Sequence, residues 1–173
     1  MRVGIYGGSF NPVHFGHVGL AKWVIEHTDL DELWLLVSPN NPLKDAKILA
    51  PEQERLEGVR EAIKAIPGLV ASDFEFTLPR PSYTANTLRE LQRAYPEHEF
   101  TLIIGEDNIA IFHKWREIEY IKTNFRIFVY PRHHDEEKQE LEIPKTKKGI
   151  IYLEGAPFFD ISSSAIRRSQ GRQ

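Results

Sequence analysis

The sequence contains no cysteine. That absence excludes disulfides, thiolate nucleophiles and cysteine-ligated metal centres, and it suits a reducing compartment. Long apolar runs are also missing: Leu33 to Val37 is typical, far short of the about 18 residues that cross a bilayer. Met1 to Gly8 lacks the apolar stretch of a secretory signal. A soluble cytoplasmic protein is the expectation. Charge of one sign is scarce as well, since 22 Lys and Arg stand against 25 Asp and Glu for a formal net charge of -3. No global field then draws the chain to nucleic acid or to an anionic membrane, and an anionic ligand has to be held by local groups. With 11 Gly, 11 Pro, 41% hydrophobic and 27% charged residues in a chain of 173, the composition is that of a packed globular protein. The length suits one domain over residues 1–173 and not two large ones.

Strand and helix patterns alternate along the chain. Val3 to Tyr6 is a short β-rich run that stops at Gly7-Gly8, and from Gly16 the residues Leu20, Ala21, Val24 and Ile25 recur with helical spacing. Leu33 to Val37 is wholly apolar, as expected of a strand covered on both faces. A polar loop, Ser38 to Ala50, leads to Pro51 at a first helical position, followed by the stripe Leu56, Val59, Ile63 and Ile66. Leu69 to Phe76 reads as a strand, and Thr84 as the cap of a helix carrying Leu88, Leu91 and Tyr95. Phe100 to Ile104 is a buried strand running into Gly105; a short helix over Trp115 to Ile121 and a strand over Phe125 to Tyr130 follow. The charged stretch His133 to Lys148 reads as a surface loop without chemistry, Ile150 to Leu153 as a last strand and Ser162 to Arg168 as a terminal helix. This order predicts an α/β, Rossmann-like doubly wound parallel sheet with helices on both faces and ligands at the carboxyl ends of the strands.

The most informative segment, Gly7 to His17, lies between the first strand and the first helix. Glycines there let backbone N–H groups approach an anion, and a helix start adds unpaired donors with partial positive charge. The segment is neither the GxGxxG of dinucleotide folds nor the GxxxxGK[ST] of P-loops, so hydride transfer and P-loop hydrolysis lose support. His14 and His17, three apart, have three readings. They are partly buried structural histidines, or zinc ligands, or donors to phosphate oxygens that gain charge during transfer. Zinc is disfavoured because there is neither a cysteine nor an HExxH motif. The place beside the glycine turn favours the phosphate reading.

The pattern GxFxPxHxGH over Gly8 to His17 resembles the signature of the nucleotidyltransferase superfamily of adenylyl and cytidylyl transferases. Ile161-Ser162-Ser163-Ser164-Ala165-Ile166-Arg167 is similar to its ISSTxIR motif, with Ser164 in place of threonine. Serines opening a helix and a fixed arginine cation together form a clamp for polyphosphate. Within the superfamily, Ser82 to Leu88 resembles the SYTxDTL segment of bacterial nicotinate-nucleotide adenylyltransferases, Gly105-Glu106-Asp107-Asn108 their GADN, and Phe112-His113-Lys114-Trp115 the aromatic stretch that follows. Asn86, Glu106 and Leu43 depart from that pattern, at positions where the family has aspartate, alanine and histidine.

The resemblance implies transfer of the adenylyl group of ATP to nicotinate mononucleotide, with Mg²⁺ accompanying ATP. His14, His17, Lys44 and Arg167 are then the expected catalytic residues. Gly7, Gly8, Ser9, Phe10, Gly105, Asp107, Ser162, Ser163 and Ser164 are expected to bind ATP, Asp107 by accepting from ribose hydroxyls. Thr84 and Thr87, at a helix start, are expected to meet the nicotinate carboxylate, and Trp115 to stack on the pyridine ring. No metal ligand is expected among the side chains, and no nucleic-acid or membrane partner; a homo-oligomer remains open. Phosphopantetheine or nicotinamide mononucleotide as acceptor are alternatives, as is a nucleotide sensor without turnover.

Overall fold

The computed structural model describes residues 1–39, 50–131 and 149–157. The expected strands and helices alternate in it. Strand β1 (Arg2–Gly8) leads to helix α1 (Phe15–His27), strand β2 (Glu32–Val37), helix α2 (Glu52–Ile63) and strand β3 (Leu69–Ser72). Helix α3 (Thr84–Ala94), strand β4 (Glu99–Gly105), the one-turn helix α4 (Glu106–Ile109), helix α5 (Ile118–Asn124), strand β5 (Arg126–Tyr130) and strand β6 (Ile150–Tyr152) follow.

The six strands form one sheet in the order β3-β2-β1-β4-β5-β6, and every neighbouring pair is parallel. The chain order reverses between β1 and β4, where Tyr6 lies opposite Ile103. A doubly wound sheet opens a crevice at the carboxyl ends of its strands at such a reversal.

Side chains on a strand alternate between faces, and the core divides accordingly. Leu33, Leu35 and Val37 of β2 pack with Leu20, Ala21 and Val24 of α1 and Leu56, Val59 and Ile63 of α2. Trp34 and Leu36 point the other way, among Ala85, Leu88 and Leu91 of α3 and Ile121 of α5. Both faces are covered, which is why β2 is almost wholly apolar. Leu88 and Leu91 are fully buried, so truncating either to Ala should cost about 2–5 kcal/mol. No helix among the described residues is long and apolar enough to cross a membrane.

Several expected boundaries shift. The run Leu69 to Phe76 is not one strand: β3 ends at Ser72 and Phe74–Thr77 forms a 3₁₀ turn that carries Glu75 inward. Pro51 and Tyr83 occupy cap positions, so Thr84 is the first residue of α3 rather than its cap. Trp115 is not helical. It follows the 3₁₀ turn Phe112–Lys114, and α5 begins only after Glu117, which takes φ 54. The expected helix Ser162 to Arg168 and loop His133 to Lys148 lie outside the described residues.

Candidate functional site

The site is built first by the turn after β1. Gly7 and Gly8 end the strand, and a Cβ added at Gly7 would meet nothing within 4 Å, so glycine there leaves open space directly above the backbone. Phe10 follows in the left-handed region at φ 47, its ring buried. That backbone is disfavoured for a residue with a side chain by about 1–2 kcal/mol, and packing offsets it. The Phe10 ring meets Tyr6 edge-on at 5.6 Å and His17 edge-on at 5.0 Å. Tyr6 in turn meets Tyr130, at the end of β5, at 5.9 Å. The imidazole of His17 therefore rests on aromatic rings anchored to the ends of two strands.

His14 and His17 close the start of α1 on each other. His14 is the cap residue, and its Nδ1 accepts from the N–H of Gly16 at 3.1 Å. The N–H of His14 donates to Nδ1 of His17, also at 3.1 Å. This is a capping box in which two imidazoles take the places more often filled by a hydroxyl and a carboxylate. A backbone N–H can only donate, so each Nδ1 presents a lone pair and each neutral ring carries its proton on Nε2. The fold thereby selects the tautomer in which the outer nitrogen of both rings is a donor.

Gly105 closes β4 beside Tyr130 of β5 and leads into α4, which carries exposed Asp107. The register of β1 on β4 places this turn next to the β1 turn, so Gly105 and Asp107 share the crevice edge with Gly7 to Phe10. Helix α3 begins farther along the same edge. Its cap residue Tyr83 lies under the guanidinium of Arg116, 4.7 Å from the ring centroid, which brings Thr84 into the neighbourhood of Trp115. Trp115 is half-buried, edge-on to Phe112 at 5.1 Å.

Thr87 takes a different position from the one expected of a substrate contact. Its side chain is buried, the hydroxyl donates to Oε2 of Glu75 at 2.9 Å, and its N–H donates to the carbonyl of Tyr83 at 3.0 Å. By helix geometry the donors left at this end are the N–H groups of Thr84, Ala85 and Asn86, and the cap residue Tyr83 makes no side-chain cap hydrogen bond to them. Glu75, beneath that turn, is held above the usual carboxylate range by burial, and the Thr87 hydrogen bond partly offsets the shift.

Lys44, Ser162, Ser163, Ser164 and Arg167 lie outside the described residues, as does Leu43. Among the described residues no three His, Asp or Glu side chains gather as a cation site. Sequence reasoning overlooks Arg55, a buried arginine whose nitrogens reach the carbonyl of Ser9 in the β1 turn. Nothing local marks it, because it stands in the polar run Glu52 to Arg55.

Residues 5–169 match the cytidylyltransferase-like family. A relative from Flavobacterium johnsoniae, named a nicotinate-nucleotide adenylyltransferase, is 45% identical over 98% of this chain and 86% of its own. One of the same name from Bacteroides thetaiotaomicron is 46% identical over 98% of this chain and 81% of its own. In fold the chain is similar to a solved Plasmodium falciparum nicotinic acid mononucleotide adenylyltransferase complexed with NaAD. The TM-score is 0.78 at 20% identity, over 96% of this chain and 82% of that one.

Proposed function

The chain belongs to the cytidylyltransferase-like family, among its nicotinate-nucleotide adenylyltransferases, and from that membership we propose how its residues carry out the reaction. The enzyme transfers the adenylyl group of ATP to nicotinate mononucleotide, giving nicotinate adenine dinucleotide and pyrophosphate, a step of NAD biosynthesis. A 5′-phosphate oxygen of the mononucleotide forms the new bond to the α-phosphorus of ATP, and the bond to the bridging oxygen breaks on the opposite side. No protein nucleophile is needed, so catalysis is positioning and compensation of charge.

The observation that carries the assignment of roles is the reciprocal cap of His14 and His17, which sets a donor hydrogen on each Nε2 beside a glycine turn. His17 acts on the α-phosphate and the leaving oxygen, while His14 and the backbone of Gly7, Gly8, Ser9 and Phe10 hold the reacting phosphates. Lys44, Ser163 and Arg167 meet the β and γ phosphates and Ser162 and Ser164 bind ATP beside them, assignments that rest on the sequence pattern. Gly105 and Asp107 receive the ribose of ATP. The first N–H groups of α3 meet the nicotinate carboxylate, with Thr84 lining the turn, Thr87 fixing it from beneath, and Trp115 stacking on the pyridine ring.

The groups gathered at the β1 turn are imidazole and amide donors, which suit phosphate oxygens rather than a cation. A Mg²⁺ held by the oxygens of ATP and water fits that set, and when bound it neutralises phosphate charge that the donors leave uncompensated. The cytoplasm, where ATP and pyridine nucleotides occur together, is the compartment that suits the reaction.

Steady-state assays with ATP and nicotinate mononucleotide, nicotinamide mononucleotide or phosphopantetheine test the acceptor. Nicotinamide mononucleotide lacks the acid group that the α3 donors would meet, so nicotinate mononucleotide should have the higher kcat/KM. A preference for phosphopantetheine would overturn the acceptor, and ATP binding without pyrophosphate release with any acceptor would overturn the activity.

A further inference from the structure

Arg55 stands in the first turn of α2 and is only 3% exposed. Its Nε donates to the carbonyl of Ala50 at 2.9 Å, and its Nη1 to the carbonyls of Ser38 at 2.7 Å and Ser9 at 2.8 Å. These carbonyls come from three segments: the peptide before α2, the residue after β2 and the turn after β1. Two of them precede Pro39 and Pro51. Those peptide units have no N–H, so each offers only an acceptor.

The third precedes Phe10. The Ser9-Phe10 bond is trans, and in a trans peptide the carbonyl and the N–H point in opposite directions. With the Ser9 carbonyl drawn inward to Arg55, the Phe10 N–H is aimed outward from the loop. Phe10, directly after the anchored carbonyl, is the residue in the left-handed conformation. Asn11 reinforces the arrangement from the other side of the turn, where its Oδ1 accepts from the N–H of Ala50 at 3.2 Å.

We propose that Arg55 is a positioning residue for the adenylyl transfer: it fixes the Ser9 carbonyl and so presents the Phe10 N–H to the substrate phosphates. It touches no substrate itself, and the proposal rests on the functional reading above. Lysine would keep the charge but lacks the planar fork that reaches three carbonyls at once.

The test uses the full chain with Arg55→Lys and Arg55→Gln, each checked for folding by circular dichroism and thermal melting. Folded Arg55→Lys should lose at least about tenfold in kcat while KM for the mononucleotide stays within about twofold, because the altered group faces the reacting phosphates and not the pyridine pocket. The amide resonance of Phe10 should move in both variants. Wild-type kcat in folded Arg55→Lys, or an unmoved Phe10 amide resonance in whichever variant folds, overturns the proposal. Should the wild type itself make no dinucleotide, the functional reading fails, while the Phe10 amide resonance still reports whether Arg55 holds the turn.

Discussion

The rings of His14 and His17 stack face to face, with centroids 3.7 Å apart and planes 24° from parallel. The stack and the two Nδ1 hydrogen bonds both act on the orientation of the imidazoles. One pair of residues thus does two things: it satisfies N–H groups at the start of α1, and it sets the tautomer of the rings that the mechanism uses as donors.

Those two tasks separate by mutation. Asn at position 17 keeps an oxygen near the place of Nδ1 and has nothing at the place of Nε2, whereas Ala has neither. His17→Asn and His17→Ala should both lower kcat by about 10²–10³, the scale of losing one transition-state donor. Only His17→Ala should also lose about 1 kcal/mol of stability, the usual worth of a cap. Thermal melts of the two variants, read beside turnover, check this; equal melting temperatures would mean the cap contributes nothing. Nitrogen-15 spectra of the wild type should show Nε2 protonated in both neutral rings.

Trp115 is the second residue with a separable role. It is half-buried, so one part packs on Phe112 while another faces outward. Stacking is worth about 0.5–1.5 kcal/mol beyond buried area, or about two- to tenfold in binding. Trp115→Ala should raise KM for the mononucleotide by about that factor and leave KM for ATP within about twofold, with Trp115→Phe between. A parallel rise in both constants would assign Trp115 to the core instead.

The legible part of this fold is the part written in local patterns. Glycines after an apolar run and apolar residues at spacings of three and four place β1, its turn and α1. The continuous run Leu33 to Val37 announces a strand covered on both faces. Trp115 to Ile121 is misread as one helix because a contact distant in sequence decides it. Arg89 of α3 reaches Glu117 at 2.7 Å and lies over the ring of Tyr120, and α5 starts only beyond Glu117. The strand expected over Leu69 to Phe76 fails for a related reason, since Glu75 turns in to meet Thr87 twelve residues later. Periodicity carries no information about such pairs. It is equally silent on Arg55, whose partners are backbone carbonyls with no side-chain signature.

Glu75 gives a pH-dependent test. Burial raises its carboxyl above the ordinary value of 4.5. A raised folded-state value means that its favourable contribution is complete below pH 4.5 and declines as pH rises through the folded value. Glu75→Gln keeps an acceptor for the Thr87 hydroxyl and cannot ionise. The variant should therefore melt higher than the wild type at pH 7, with the difference shrinking toward pH 4. Melting curves across that range decide it, and a variant less stable at pH 7 would show that the ionised carboxylate is held by more than Thr87.

Asp29 predicts the opposite slope, at the far end of the sheet. Arg126 grips it with two nitrogens, at 2.9 and 2.7 Å, and Arg2 adds a third contact at 3.0 Å, tying the start of β5 and the start of β1 to the turn before β2. The Arg126 hydrogen bonds hold its carboxyl below the ordinary value of 3.8, against a smaller opposing effect of burial. A lowered value adds stability at pH above 3.8, which is lost as pH falls through the folded value. The side chain is 39% exposed, so solvent and salt screen the pairs and the contribution at pH 7 is at most about 1 kcal/mol. Asp29→Asn should be less stable than the wild type at pH 7, by less at high salt, and the two should converge in acid. Because this cluster sits at the amino ends of the strands, opposite the crevice, kcat should not move. A fall in kcat at unchanged stability would mean that the two ends of the sheet are coupled, which the rigid parallel ladder between them gives no reason to expect.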